Sequence, residues 1–186
     1  MFDAVVLAGG TARRLGGASK PDVRLGGRRL LDHALAATTG GRRVVVVAPE
    51  DVAVPDGVLH TLEDPPYGGP VAGIAAGLAT LGDGAAPWVL VLACDVPHAG
   101  SAVPRLRSAV TEGAQGADGA VLVDAEDRPQ WLAALYRTAA LHERLGEHPG
   151  GSVRALVSGL DLRHVRAAAT EAADVDTWAD LAALEE

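Results

Sequence analysis

Every basic residue of this chain is arginine except one. Lysine and arginine together number 16, and the single lysine is Lys20. It closes a glycine-rich stretch that follows the first apolar run: Val5-Val6-Leu7-Ala8-Gly9-Gly10-Thr11-Ala12-Arg13-Arg14-Leu15-Gly16-Gly17-Ala18-Ser19-Lys20. An ammonium is a compact point charge on a flexible stem, a different tool from the planar guanidinium fork. Gly9, Gly10, Gly16 and Gly17 reach backbone angles closed to other residues, so successive N–H groups can be aimed at one anion. With Arg13, Arg14 and Lys20 added, the stretch reads as a phosphate cradle; the plainer alternative is a flexible surface turn. The order Gly-x4-Gly-Lys-Ser/Thr of a P-loop is absent, and so is the dinucleotide fingerprint Gly-x-Gly-x-x-Gly.

Three further segments carry chemistry. Asp95, in Leu92-Ala93-Cys94-Asp95-Val96-Pro97, directly follows an apolar run. A carboxylate there suits Mg2+, a hard cation that prefers carboxylate and phosphate oxygens; the alternative is a turn or capping aspartate. Asp64 ends a short apolar run, and Gly68-Gly69 then open a helix. A ribose or base could rest there, or the segment is a loop with a helix start. Asp176, in Asp174-Val175-Asp176-Thr177, is either the N-cap of the last helix, a second carboxylate for the ion at Asp95, or both. Arg128-Pro129-Gln130 is an acceptor contact or a surface turn. Cys94 reads as core packing, and the six histidines show no metal-ligand spacing.

Periodicity says what positions these residues. Strands are expected at residues 3–8, 44–47, 58–62, 88–93, 120–123, 131–136 and 162–165. Helices are expected at 30–37, 70–81, 101–110, 138–145, 152–157 and 177–184, with Ser152 as an N-cap. Val44 to Val47 is β-branched without alternation, the mark of a strand covered on both faces. Pro70 falls in a first helical turn, where its missing N–H costs nothing. Strands and helices alternate at βαβ spacing, so the class is α/β, a doubly wound, mostly parallel, Rossmann-like sheet in one domain over residues 1–186. Such folds take ligands at the carboxyl ends of their strands, where Lys20, Asp64 and Asp95 fall.

Composition narrows the classes. The length of 186 residues, with 48% hydrophobic and 22% charged residues, is ordinary for a globular domain. A net charge of -8 argues against a nucleic-acid binder, which needs a basic footprint. One cysteine permits no internal disulfide and fits a reducing compartment. No apolar run approaches the ~20 residues of a membrane span, and no secretory leader pattern opens the chain. The expectation is a cytoplasmic protein with no membrane and no nucleic-acid partner.

Together these motifs resemble the molybdenum cofactor guanylyltransferase type of nucleotidyltransferase. The opening is similar to that family's Leu-Ala-Gly-Gly-x-x-x-Arg-Met-Gly-x-x-x-Lys. It stands here as Leu7-Ala8-Gly9-Gly10, then Arg14-Leu15-Gly16, then Lys20, with every spacing kept. Gly69-Pro70-Val71-Ala72-Gly73, Cys94-Asp95-Val96-Pro97 and Asp174-Val175-Asp176-Thr177 follow in the family's order. The resemblance implies an enzyme that transfers GMP from GTP to the terminal phosphate of molybdopterin and releases pyrophosphate. It implies nucleotide contacts at Leu7, Ala8, Gly9, Gly10, Lys20, Asp64 and Asp95, with catalytic roles for Lys20, Arg14 and Asp95. Mg2+ would lie on Asp95 and Asp176, and Arg128 and Arg154 would face the acceptor phosphate. A transient contact with cofactor-insertion or molybdoenzyme proteins would follow from the product. Gly9 stands where the related cytidylyltransferases look like alanine, which favours guanine. The chain departs in having no asparagine: the position that many relatives fill with Asn after the second strand is about Ala48. Three alternatives stand beside this reading: a CTP-dependent molybdopterin cytidylyltransferase, a nucleotidyltransferase for another small phosphorylated acceptor, and a non-catalytic GTP-binding regulator.

Overall fold

Seven strands make one sheet: β1 (Phe2–Leu7), β2 (Val44–Val47), β3 (Leu59–Thr61), β4 (Trp88–Ala93), β5 (Gly119–Val123), β6 (Pro129–Arg137) and β7 (Leu162–Arg166). The computed structural model describes residues 1–9, 11–12, 17–111, 116–148 and 150–185. The strand order is β7-β5-β6-β4-β1-β2-β3. β1 runs parallel to β2 and β4, β2 to β3, and β5 to β7. Only β6 is reversed against its neighbours β4 and β5. Its direction follows from chain length. Residues 124–128 are too few for a crossover, which takes a dozen or more, so β5 and β6 must form an antiparallel pair. Asp124 closes that turn by accepting from the Glu126 and Arg128 amides at 3.0 and 2.9 Å.

Among the described residues six α-helices are present: α1 (Leu30–Ala37), α2 (Pro70–Leu81), α3 (Val103–Thr111), α4 (Thr138–Glu147) and α5 (Val153–Leu156) on the sheet, and α6 (Trp178–Glu185) beyond its edge. Alternate residues of each central strand enter opposite cores, as the two-residue period requires. Val5, Val45 and Val47 pack with Ile74 and Leu78 of α2, Leu141 of α4 and Leu156 of α5. On the other face Ala4, Leu90 and Leu92 meet Val103 and Leu106 of α3, while Val6 and Val46 meet Leu31 and Ala34 of α1. The expected doubly wound α/β architecture is thus present. Two boundaries differ. A 3-10 turn at Ala99–Ala102 precedes α3, and the helix after Ser152 is a single turn. Ser152 does cap it, its Oγ accepting from the Ala155 amide at 3.2 Å.

Two local features fix the sheet. Gly77 lets α2 lie directly on β1: a Cβ there would fall 2.5 Å from Val5 Cγ1 and 2.9 Å from Val5 Cγ2. Alanine normally favours a helix by about 1 kcal/mol over glycine. Here the sign reverses, because Val5 is fully buried and cannot yield. Gly77→Ala is expected to cost about 1–3 kcal/mol, read from urea or thermal unfolding. At the opposite end of β1, Asp3 is 0% exposed. It accepts from the Arg42 Nε and Nη2, the Arg43 amide and Nη2, and the Ala86 amide, all at 2.8–3.1 Å. That carboxylate ties the turn before β2 to the turn before β4.

Candidate active site

The parallel strands β1, β2, β3 and β4 end on one edge, and the ladder runs one residue past them. The Ala8 amide reaches the Val47 carbonyl at 2.8 Å, and the Cys94 amide reaches the Leu7 carbonyl at 3.0 Å. Leu7, Ala8, Gly9 and Asp95 are therefore held side by side by the backbone. Lys20 arrives from the loop after β1 as the first residue of a 3-10 turn, Lys20–Asp22. Two elements anchor this turn. Arg24–Leu25 and Arg28–Arg29 form a small antiparallel ribbon, and Val23, Leu25 and Leu30 pack on Val175 and on Leu181 of α6. The same contact brings the C-terminal segment to the edge, where the Val175 amide donates to the Asp95 carbonyl at 2.8 Å.

The result is one ammonium between two carboxylates. Lys20 Nζ lies 2.8 Å from Asp95 Oδ2 and 2.6 Å from Asp176 Oδ1. The lysine side chain is 11% exposed, while Asp95 and Asp176 are 26% and 42% exposed. Burial alone pulls the Lys20 ammonium down, but the Asp95 and Asp176 charges outweigh it and hold it above its ordinary value. Asp174, beside them, is pushed up by partial desolvation and then by the charges of Asp176 and Asp95. The thiol of Cys94 is driven upward by burial and then by the Asp95 charge, so it stays protonated and inert. Asp176 is not the cap of α6. Thr177 and Asp180 form a reciprocal capping box: the Thr177 amide donates to Asp180 Oδ2 at 2.7 Å, and the Asp180 amide donates to Thr177 Oγ1 at 3.2 Å. This leaves the Asp176 carboxylate to point at Lys20.

Two clefts meet at Asp95. The first, about 360 Å3, is lined by Leu7, Gly9, Glu63, Tyr67, Gly73 and Asp95, among others. The second, also about 360 Å3, is lined by Asp95, Gln130, Trp131, Ser152, Arg154 and Asp174, among others. The second lies beside the antiparallel start of β6. A shared carboxylate at the junction, with an ammonium on it, suits the joining of two anionic molecules bound one on each side.

The structure gathers some of the residues singled out in the sequence and separates others. Leu7, Ala8, Gly9, Lys20, Asp95 and Asp176 converge, and Arg154 lines the second cleft. Asp64 is exposed and outside the first cleft, whose wall is formed by its neighbour Glu63. Arg128 lies on the exposed β5–β6 turn, its guanidinium held by Asp124 at 3.0 Å and Glu126 at 2.5 Å. Ala48 is fully buried among Val6, Leu31 and Val46 and is not part of the cleft wall. Gly10 and Arg14 lie outside the described residues. Sequence reasoning missed Glu63 and Trp131. Beyond the end of β3 at Thr61, Glu63 is buried and Asp64 exposed, and of the two Glu63 faces the cleft. Among the described residues no three His, Cys, Asp or Glu side chains are grouped to hold a metal. Asp95 and Asp176 nonetheless converge on one point, the one the Lys20 ammonium occupies. Two carboxylates completed by substrate phosphate and water is the way proteins commonly hold Mg2+.

Comparison with known proteins agrees with this geometry. The model of the MobA-like NTP transferase domain matches residues 4–170. The molybdenum cofactor guanylyltransferase of Acidiphilium cryptum is 35% identical over 153 residues, 79% of this chain and 74% of that protein. That of Cupriavidus necator is 31% identical over 159 residues, 79% of this chain and 76% of that protein. Among solved structures, a nucleotidyl transferase from Methanothermobacter superposes with a TM-score of 0.76 at 20% identity, over 100% of this chain and 96% of that one. Molybdopterin-guanine dinucleotide biosynthesis protein A from Archaeoglobus fulgidus gives 0.70 at 21% identity, over 99% and 97%. These two structural matches speak to the fold; the family match and the sequence relatives speak to descent. The chain belongs to the MobA-like NTP transferase family and is a nucleotidyltransferase.

Proposed function

We propose that this enzyme transfers GMP from GTP to the terminal phosphate of molybdopterin. The observation that carries the reading is the meeting of two clefts at Asp95, with the Lys20 ammonium at the junction. The names of the sequence relatives supply the two substrates. An oxygen of the acceptor phosphate forms a bond to the α-phosphorus of GTP, the bond from that phosphorus to the β-phosphate oxygen breaks, and pyrophosphate leaves. The protein forms no covalent bond. Its work is to hold two anions together in line and to neutralise developing charge.

In this reading the nucleotide occupies the first cleft, with Leu7 and Gly9 along its floor, the Ala8 backbone joining them, and Asp64 at the rim. The acceptor occupies the second, with Arg154 and Trp131 in its wall and Arg128 on the turn above. Lys20 turns its ammonium to the triphosphate, and the motif in which Gly10 and Arg14 stand assigns them to the phosphates as well. Asp95 and Asp176 would hold Mg2+, which supplies charge neutralisation at the phosphates when bound. Two anionic substrates on a protein of net charge -8 make these few cations decisive.

The test is a product-mass assay. Purified protein with Mg2+ and a molybdopterin source is given GTP, CTP, ATP or UTP in separate reactions. A guanine dinucleotide of the cofactor is the expected product. A cytosine product would keep the chemistry and overturn the base assignment. Binding of Mg-GTP without any product would point instead to a nucleotide-binding regulator.

A further inference from the structure

The first cleft contains a carboxylate that the transfer step does not use. Glu63 is 7% exposed and lines the cleft. Its Oε1 accepts the Tyr67 amide at 3.1 Å. The loop presents that amide with Tyr67 at φ 64°, a left-handed angle uncommon for an aromatic residue. Among the described residues Glu63 has no other hydrogen-bond partner. A carboxylate accepts through two oxygens and about four lone-pair sites, so Glu63 keeps acceptor capacity beyond the Tyr67 amide where it lines the cleft. The space before it is open because residue 9 is glycine. A Cβ on Gly9 would stand 4.0 Å from Glu63 Oε1 and 3.9 Å from the Val47 carbonyl oxygen. The rest of the cleft wall is largely apolar, with Leu7, Val47 and Pro70.

An apolar slot with one acceptor-only group fits a flat ring that offers two adjacent N–H donors. Guanine does so with N1–H and the 2-amino group. Adenine and cytosine each set one donor beside a ring-nitrogen acceptor, and uracil offers one N–H between two carbonyls. We infer that Glu63 is the residue that selects guanine, accepting N1–H and the 2-amino group, with Gly9 leaving room for that edge. This rests on the guanylyltransferase reading above and names the base-reading side chain within it.

Glu63→Gln separates base reading from loop support. The amide keeps an oxygen for the Tyr67 N–H and nearly the same shape, so the loop stands. Facing the ring, it offers one acceptor and one donor, the complement of xanthine, which carries N1–H beside a 2-oxo group. Transfer and equilibrium binding are measured with GTP, CTP, ITP and XTP for wild type and variant. For Glu63→Gln, kcat/KM with GTP is expected to fall about 100-fold, and XTP becomes the better substrate and ligand. Wild type is expected to use ITP, which lacks the 2-amino group, about tenfold less well than GTP. If wild type prefers GTP but Glu63→Gln still prefers GTP over XTP, the role of Glu63 is wrong and the transfer reading stands. If wild type prefers CTP, the guanylyl reading itself fails. Should the variant not fold, the wild-type comparison decides: equal use of GTP and ITP overturns the inference.

Discussion

Lys20→Ala is expected to lower transfer about 10²–10³-fold, the scale of losing one stabilising donor at a developing charge, while the fold survives. Lys20 is the junction cation between the two clefts, and Asp95 and Asp176 fix its position to within a hydrogen bond. Its low exposure strengthens each electrostatic contact it makes. The fold should persist because Lys20 belongs to none of the hydrophobic clusters, and the carboxylates it leaves behind remain reachable by water. Lys20→Arg is expected not to restore the rate, since the larger planar fork replaces a compact ammonium at a nearly buried position and presents its charge differently. The ammonium is held above the ordinary lysine value of 10.5. Its contribution is thus complete throughout the neutral range and disappears only as pH rises through the folded-state value. Transfer rates beside near-ultraviolet circular dichroism check this. Near-wild-type turnover by Lys20→Ala would remove the lysine from the mechanism.

Asp3→Ala is expected to be strongly destabilising, at about 3 kcal/mol. Removing one partner of a buried ion pair costs about 3–5 kcal/mol. The lower end applies because Arg42 and Arg43 are 40% and 34% exposed and recover water. What does not recover is the Ala86 amide, which is buried and loses its acceptor. In a chain of this size that corresponds to a fall of about 6–12 °C in Tm. The pH dependence has a definite sign. Burial pushes the Asp3 carboxyl up, but bonds from Arg42, the Ala86 amide and Arg43 outweigh it and hold it below the usual carboxylate range. Its stabilisation is complete above the ordinary aspartate value and is lost as pH falls through the folded-state value. Wild type should therefore lose stability as pH falls below the ordinary aspartate value of about 4 more steeply than Asp3→Ala. Parallel acid titration curves for the two proteins would contradict this.

Much of the fold was legible because burial leaves a period in the sequence. The unbroken run Val44–Val47 announced a strand covered on both faces, and Pro70 marked the start of α2. The reversal of β6 left no periodic trace, since a strand reads the same in either direction; only the five residues between β5 and β6 carried it. Lys20 and Asp95 stood out because they follow strands whose carboxyl ends must share an edge. The cap of α6 was written as Thr177-x-x-Asp180, a capping-box signature, yet Asp176 drew the reading because metal ligation and capping both favour aspartate. Glu63 was hidden for another reason. Which of two adjacent acids faces a cleft depends on the twist of the strand before them, and no spacing rule records that.

The Lys20–Asp176 contact joins residues 156 apart in the chain, and Asp176 lies beyond residue 170, where the family domain model ends. During synthesis every strand of the sheet, and both cleft floors, are made before the segment that carries Asp176. At the usual pace of about 5–20 residues per second, the segment that pairs with Lys20 follows the last strand by about a second. Placement of the Asp176 carboxylate on Lys20 therefore depends on the C-terminal segment packing through Val175 and Leu181 onto Val23, Leu25 and Leu30.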